Sequence, residues 1–157
     1  MGPGPSAAPT YEPTSPSATA FDPRDFAWST TSGSGSIVGA LTYHRGPVRY
    51  TCQGSDVLLT PETAWSRRRM MILYGSANAA AAPVSIVRAR TPSAGAGDYA
   101  RFVRRTTCDE DNRFSFRGLP DGAWFVITVG KPVGGGDEPV AVTRRIETHG
   151  GVSAASL

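Results

Sequence analysis

Cys52 and Cys108 are the only cysteines of the chain, and the chemistry open to such a pair is oxidation to a disulfide. Each cysteine ends a predicted strand, so a bond between them would join neighbouring strands or cross a sandwich. It would close a loop of about 56 residues, worth on the order of 4 kcal/mol in the chain-entropy description. Two buried free thiols are the alternative, because cysteine is often buried without a bond. We favour the disulfide, which predicts an extracytoplasmic protein.

The acidic run Asp109-Glu110-Asp111 is the densest set of oxygen ligands in the sequence, and carboxylate oxygens are what calcium prefers. The run lacks the spaced ligands and the glycine of an EF-hand loop, and aspartates in turns commonly bond their own backbone. We therefore predict a turn, with calcium at Asp109 and Asp111 as the alternative. His44 and His149 have no ligand partner at metal-binding spacing, so we interpret both as solvated loop residues and predict no metal or cofactor.

A basic run with aromatic residues around it is the second candidate for binding chemistry. Arginine pairs with carboxylate and phosphate groups, and an aromatic ring beside it offers a face for stacking. These residues could therefore hold an anionic sugar, a phosphate or a lipid headgroup, while a solvated charged face is the simpler alternative. The candidate residues are Trp65, Arg67, Arg68, Arg69, Tyr74 and Tyr99.

The sequence contains no recognisable set of catalytic residues. No serine lies in a Gly-x-Ser-x-Gly elbow, and no pair of acid and base residues stands out. Gly33-Ser34-Gly35 precedes a strand rather than a helix, so it does not predict a phosphate loop. We predict that the protein is not an enzyme.

The elements that must position these residues are mostly strands. Residues 109–129 predict turn, strand, turn and strand, with Phe114 and Phe116 on one face and Pro120-Asp121-Gly122 in the second turn. The second strand, residues 124–129, is apolar on both faces, as a central sandwich strand would be. A short helical turn is predicted within residues 61–69, with Thr60 as its cap. Loops are predicted at 77–83 and 91–98, and His44-Arg45-Gly46-Pro47 is predicted as the turn of a hairpin. Other strands are predicted near 35–43, 48–53, 56–60, 70–75, 84–90, 99–108, 139–147 and 151–156, the last of them at a sheet edge.

The pattern of residues 107–126, a threonine, an acidic turn, Phe-x-Phe-x-Gly-Leu-Pro-x-Gly and an aromatic strand, resembles the carboxypeptidase regulatory-like family. Residues 35–41 and 56–63 resemble other strands of that family. The resemblance covers roughly residues 34–157. Asn112 stands where the family usually has glycine, and residues 64–98 lie outside the family pattern.

The resemblance implies an all-β, transthyretin-like (prealbumin-like) Greek-key sandwich of about seven to nine strands. It does not imply zinc carboxypeptidase activity, which would need a separate catalytic domain. The hydroxyisourate hydrolases share the transthyretin-like fold, but their Tyr-Arg-Gly-Ser tail is absent here, where the sequence ends Ala155-Ser156-Leu157.

Composition divides the chain into an arm and a domain. Residues 1–33, rich in proline, serine and alanine, predict an extended arm or linker, which Phe21, Phe26 and Trp28 could anchor; residues 34–157 predict the domain. Residues 1–34 carry a net charge of −2 and the remainder +5, in agreement with the total of +3. No apolar run is long enough to span a membrane. Met1-Gly2-Pro3-Gly4-Pro5 does not resemble a signal peptide, so any leader is not present in this numbering.

These observations predict a non-catalytic β-sandwich module of a bacterial envelope or surface complex, located in the periplasm, at the outer membrane or on the cell surface. Its partners would be other envelope proteins, reached with the arm, or further copies of the chain. A carbohydrate- or anion-binding module, with polysaccharide as the partner, is the alternative. Nucleic acid is not expected, because the aromatic residues follow strand patterns rather than interleaving with the basic groups.

Overall fold

The computed structural model describes residues 20–92 and 98–157. These residues form ten strands, two α-helices and two 3₁₀ helices. The strands are β1 (Gly35–Ala40), β2 (His44–Arg45), β3 (Val48–Thr51), β4 (Asp56–Pro61), β5 (Ala79–Pro83), β6 (Arg104–Thr107), β7 (Arg113–Leu119), β8 (Gly122–Pro132), β9 (Val140–Thr148) and β10 (Val152–Ser156). The α-helices are α1 (Ala64–Tyr74) and α2 (Val84–Arg90), and the 3₁₀ helices cover Pro23–Thr30 and Tyr99–Phe102.

The strands form two sheets, so the predicted sandwich is confirmed. The smaller sheet has the order β10-β1-β7, with β10 parallel and β7 antiparallel to β1. The larger sheet is centred on β8, which pairs with β9 along one side and with β4 and the end of β3 along the other. Three outer strands complete the larger sheet: β5 pairs with β9, β6 pairs with β4, and β2 pairs with β3. The final strand, β10, lies at a sheet edge as predicted.

The main core lies between the two sheets. Alternating side chains of β1 and β7 meet alternating side chains of the larger sheet, as expected where each sheet has one buried face. Trp124 and Ile37 are fully buried there. The smaller sheet contributes Ile37, Phe114, Phe116 and Leu119, and the larger sheet contributes Val57, Leu59, Trp124, Val126, Val140 and Val142.

A helical layer covers the other face of the larger sheet, and the strand predictions for 70–75 and 84–90 are wrong. These segments belong to α1 and α2, and Met70 of α1 packs on Phe125 of β8. The continuous apolar run 70–74 led to the strand prediction. In the structure Met71 and Ile72 lie on the exposed side of the helix. The β-branched residues of 84–90 favour a strand on propensity, which tertiary packing overrides.

Two further predictions are corrected in the same region. Residues 79–83 of the predicted loop form β5, which pairs along β9 despite the low strand propensity of alanine. The predicted strand 99–108 begins instead with the 3₁₀ helix Tyr99–Phe102 and only then continues as β6. With β5 and the short β2, the described residues contain ten strands rather than about seven to nine.

Helix α1 begins one turn later than predicted. Its cap is Thr63, whose Oγ1 accepts a hydrogen bond from the Ser66 amide at 3.1 Å, while Ser66 Oγ accepts one from the Thr63 amide at 2.8 Å. Gly75 ends the helix at φ 79°, a left-handed conformation that glycine adopts without strain. Thr60, the predicted cap, lies in β4.

The 3₁₀ helix Pro23–Thr30 closes one end of the sandwich. Phe26 is completely buried, and the Trp28 ring meets the Trp124 ring edge to face with centroids 5.0 Å apart. Gly122 makes room for this contact, because a Cβ there would overlap the Trp28 ring. Residues 20–33 of the predicted arm therefore pack on the domain; residues 1–19 lie outside the described residues.

Candidate functional site

The predicted disulfide between Cys52 and Cys108 is present. The two residues follow β3 and β6, both are buried, and their Cα atoms are 5.7 Å apart. Backbone hydrogen bonds surround the bridge, since Gly54 N donates to Cys108 O at 2.9 Å and Cys108 N donates to Ser55 O at 2.9 Å. A structural disulfide is typical of oxidising compartments and indicates an extracytoplasmic environment. None of the helices among the described residues is long and apolar enough to cross a membrane.

Four of the six predicted binding residues come together beneath α1. The Arg69 guanidinium carbon lies 5.5 Å from the centre of the Trp65 ring and 5.6 Å from that of Tyr99. The two rings are themselves 4.7 Å apart. Tyr74 joins Arg69 and Tyr99 around an apolar cavity of about 150 Å³ between α1 and the sheet, whose other walls include Leu58 and Leu73.

The side chains of this cluster are half-buried and pack on one another and on the domain. Phe26 packs edge to face with both Trp65 and Tyr99, so part of each ring is covered. Burial raises the pKa of Tyr74 to about 12. Burial also raises the pKa of Tyr99, although its hydrogen bond with Thr60 acts in the opposite direction. Both hydroxyls therefore remain protonated at neutral pH.

Arg67 and Arg68 do not join this cluster. Consecutive residues of an α-helix point in different directions, so the three arginines spread around α1. Arg67 forms an ion pair with Glu62 at 2.9 Å, and Arg68 is exposed. The Glu62 carboxylate also accepts hydrogen bonds from Arg145 Nε at 3.1 Å, and this hydrogen bonding raises the pKa of Arg145. The three arginines of the run therefore do not converge on one point of the described structure.

The acidic run forms the predicted turn between β6 and β7. Asp109 Oδ1 accepts hydrogen bonds from the amides of Asp111 at 2.8 Å and Arg113 at 2.9 Å. Asn112 has a left-handed backbone, with φ 63°. Within the ranges 20–92 and 98–157, no group of three or more His, Cys, Asp or Glu residues could hold a metal ion. The turn accounts for Asp109, and the described residues bring no further ligand to Asp111.

A larger cavity, of about 520 Å³, lies where several connections meet at one end of the sandwich. Its walls come from the chain after β1, the β2–β3 hairpin, the β6–β7 turn and the residue after β8. Such connections are where binding residues are commonly placed on a rigid sandwich. The residues with polar or aromatic groups in this wall include Tyr43, His44, Arg49, Tyr50 and Asn112.

The polar groups of the cavity are aligned by the hairpin and the turn. His44 lies directly opposite Arg49 in the β2–β3 register, so their side chains share one face. His44 Nδ1 is 3.2 Å from the Gly46 carbonyl oxygen, to which it donates, and this leaves Nε2 for another partner. Asn112 Oδ1 accepts from Thr51 Oγ1 at 2.6 Å and from Cys52 N at 3.0 Å, which leaves its amide nitrogen available.

Two tyrosines form the aromatic part of the cavity. The rings of Tyr43 and Tyr50 meet edge to face, with centroids 4.9 Å apart. Tyr43 is half-buried, whereas Tyr50 is 3% exposed. The buried Tyr50 hydroxyl has no hydrogen-bond partner among the described residues. An unpaired buried hydroxyl costs stability, so this group is one that a bound molecule could satisfy.

The sequence predictions missed this cavity. Its residues sit around the turn His44-Arg45-Gly46-Pro47, which was correctly predicted as a hairpin, but His44 was interpreted as a solvated loop residue. A signal was available, since Tyr43-His44 before the turn and Arg49-Tyr50 after it each place an aromatic residue beside a basic one. Only pairing across the hairpin shows that these two dipeptides face each other.

Comparisons with known proteins identify a shared fold. No protein-family model matches the chain, and no curated protein matches it. Among solved structures, a Pseudomonas aeruginosa protein provisionally described as a carbohydrate binding protein is similar, with a TM-score of 0.60 and 19% sequence identity. The match covers 87% of this chain and 96% of that one. At this level of identity the similarity supports the sandwich architecture.

Proposed function

We propose that this chain is a non-catalytic, extracytoplasmic β-sandwich that binds a carbohydrate in the cavity at the β2–β3 hairpin. The observation that carries the proposal is the grouping of Tyr43 with Arg49, His44 and Asn112 in one wall. The similar protein of P. aeruginosa, provisionally described as a carbohydrate binding protein, supports the same class of ligand. Membership of the carboxypeptidase regulatory-like, transthyretin-like domains, located in the bacterial envelope, is part of this proposal.

The cavity suits one or two sugar rings. Its volume of about 520 Å³ falls inside the range of roughly 300–1,000 Å³ typical of small-molecule sites. Side chains with several donors, such as Arg49 and the Asn112 amide, match the hydroxyl groups of a sugar. The half-buried Tyr43 ring supplies an apolar surface for the C–H face of the same ring.

The cavity wall argues for binding rather than cleavage. Most glycosidases require two carboxylates that flank the bond to be broken. The described residues that line this cavity include no aspartate and no glutamate. A sugar held here would meet donors and an aromatic ring, but no general acid or base pair.

Replacement of Tyr43 tests the proposal. We expect Tyr43→Ala to lower the affinity for the glycan at least about 10-fold, because it removes the stacking surface, while Tyr43→Phe retains binding. A glycan array identifies the ligand, and isothermal calorimetry measures the affinity of each variant. Melting curves check that Tyr43→Ala remains folded, since Tyr43 also packs against the main core. A wild-type protein that binds nothing on the array, or an alanine variant with wild-type affinity, would contradict the proposal.

A structural role in an assembly is the second candidate, and the outer face of the smaller sheet favours it. Val38 on β1 is 46% exposed and Val152 on β10 is 74% exposed, and edge strands such as β10 can pair with another chain. Another envelope protein or a second copy of this chain would cover this face. The N-terminal arm would add further contacts to the same partner.

Light scattering tests this second role. We expect wild-type protein to associate at high concentration and Val152→Lys to reduce the mass toward that of one chain. A truncation that removes residues 1–19 tests the arm while it retains Phe21, Phe26 and Trp28, which pack on the domain. A wild-type mass of one chain at every concentration would exclude self-assembly.

A further inference from the structure

We infer that the sugar bound at the β2–β3 hairpin is an acidic one, a uronic acid whose carboxylate pairs with Arg49. This inference rests on the proposed function and narrows it to one class of glycan. The observations that carry it are the charge of the cavity wall, the positions of the unpaired donors and the buried hydroxyl of Tyr50.

The cavity wall is basic and its basic groups lack partners. Arg49 forms no ion pair with any carboxylate of residues 20–92 and 98–157, although five other arginines of this chain do: Arg24, Arg67, Arg101, Arg105 and Arg145. His44, directly across the hairpin, also makes no ion pair among the described residues. Side chains that face each other across two strands are about 4.5–5.5 Å apart at Cβ, so one ligand could contact both.

Two further basic residues add positive charge near the cavity wall. Arg45 lies opposite Val48 on the same hairpin, and Lys131 lies opposite Thr51 on the strand beside it. The acidic residues next to Asn112 in sequence, Asp109, Glu110 and Asp111, do not line the cavity. One carboxylate oxygen of Asp109 is already engaged by two backbone amides. A negatively charged ligand therefore meets attraction from the hairpin and no acidic side chain in the wall.

The remaining donors fit the hydroxyl groups of a uronic acid. A guanidinium binds a carboxylate through two parallel hydrogen bonds, which neutral sugars cannot reproduce. The Asn112 amide nitrogen remains to donate to a hydroxyl oxygen. His44 Nε2, in the tautomer whose Nδ1 donates to the Gly46 carbonyl, remains to accept from a hydroxyl. The Tyr50 hydroxyl, buried and without a partner within residues 20–92 and 98–157, would gain one from the ligand or from a water that the ligand retains.

The experiment compares each acidic sugar with its own neutral counterpart. Full-length protein is titrated by calorimetry with oligoglucuronate and oligogalacturonate, and with the same oligosaccharides after reduction of the carboxyl groups to primary alcohols. We expect the acidic form of at least one to bind about 10-fold or more tightly than its reduced form, with affinity that falls as salt rises. Free sulfate, at the same concentration, should compete weakly, because it lacks the hydroxyl groups.

Variants then locate the effect. Arg49→Gln should remove the preference for the acidic form and leave the reduced sugar nearly unaffected, while Arg49→Lys should keep part of it. Arg45→Gln is the matched control, since Arg45 is on the same hairpin but does not line the cavity. An Arg45→Gln variant that loses as much affinity as Arg49→Gln would overturn the assignment, because the effect would then be general charge. The comparison of ligands on wild-type protein holds even if a variant misfolds.

The outcomes separate the two levels of the proposal. If acidic and reduced sugars bind equally, the carbohydrate function stands and the assignment of an acidic ligand is wrong. If neither form of any sugar binds, the carbohydrate function itself fails and this inference falls with it. If sulfate displaces the acidic sugar at equal concentration, the site is a simple anion site and the inference is wrong.

Discussion

Asn112 connects three parts of the molecule through one side chain. Its backbone takes the left-handed conformation that glycine would take in the family pattern it resembles, and asparagine tolerates this conformation better than most residues. Its side-chain oxygen then accepts from Thr51 and from the amide of Cys52, which glycine could not provide. The departure from the family pattern thus ties the acidic turn to the strand that carries the disulfide and orients an amide in the cavity wall.

Tyr74 gives a prediction at the scale of one residue. The folded state raises the pKa of Tyr74 from 10.0 to about 12, so it retains the proton more tightly than the unfolded chain does. The corresponding stability is fully present below pH 10 and is lost as the pH rises through about 12. Phenylalanine cannot ionise. Between these two pH values we therefore expect the free energy of unfolding to fall by up to about 2 kcal/mol less in Tyr74→Phe than in wild type.

Urea unfolding at pH 9.5 and at pH 11.5 measures the effect, and the absorbance of tyrosinate near 295 nm follows the ionisation. Tyr43→Phe is the matched control, because Tyr43 lies outside the aromatic cluster under α1. An equal loss of stability for wild type and Tyr74→Phe would show that the buried hydroxyl does not govern the alkaline transition.

Helix α1 explains, at the scale of an element, why β8 is apolar on both faces. Trp124 and Val126 of β8 point into the core between the sheets, whereas Phe125 lies under Met70 of the helix. The continuous apolar pattern of β8 was predicted to mark a central sandwich strand, and that remains correct for one face. The second buried face belongs to a layer of helix that periodicity alone did not indicate, because Met71 and Ile72 interrupt the amphipathic pattern.

The cap of α1 gives the prediction for this element. We expect Thr63→Ala to lower the free energy of unfolding by about 1 kcal/mol, because the Ser66 amide loses its acceptor at the helix start. Thr63→Ser is the control, since a serine hydroxyl accepts the same hydrogen bond. Chemical denaturation of the three proteins measures the difference. A serine variant as unstable as the alanine variant would mean that the threonine methyl group, rather than the cap, matters.

At the scale of the whole molecule, the disulfide joins two distant parts of the chain. It links residues 56 positions apart and lies beside the turn that carries Asn112. In the chain-entropy description, closing such a loop is worth about 4 kcal/mol through the unfolded state. We expect the double variant Cys52→Ser, Cys108→Ser to lose a stability of this order, and the cavity next to the turn to bind its ligand more weakly.

Wild type with and without dithiothreitol, compared by melting temperature, checks this prediction. The double variant is the control, because reductant should not change its melting temperature. Wild type whose stability is unchanged after complete reduction would show that the bridge contributes little. A count of free thiols on denatured, unreduced protein should find none.

The family resemblance implied the sandwich class, and the residues themselves predicted the β2–β3 turn, the turns at 109–112 and 118–122, the edge strand and the disulfide. The turns, the edge strand and the disulfide rest on local rules: alternation of apolar residues, the turn chemistry of glycine, proline and aspartate, and an even pair of cysteines at strand ends. The anchoring role of Phe26 and Trp28 was also visible as large apolar residues in a polar segment. The residues that local rules described worst lie in 64–98, where helices and an alanine strand replace the predicted strands and loop.

Tertiary structure decided which candidate residues are available to a ligand. Trp65, Arg69 and Tyr99 have the types a sugar site needs, but the two rings pack on each other, on Arg69 and on Phe26, so only part of each side chain is exposed. Tyr43 and Arg49 were not singled out, yet the hairpin pairing and the neighbouring turn bring them into one cavity wall. The physical reason is that residue type sets what a side chain can bind, whereas pairing and packing across distant segments set which of its surfaces remain free.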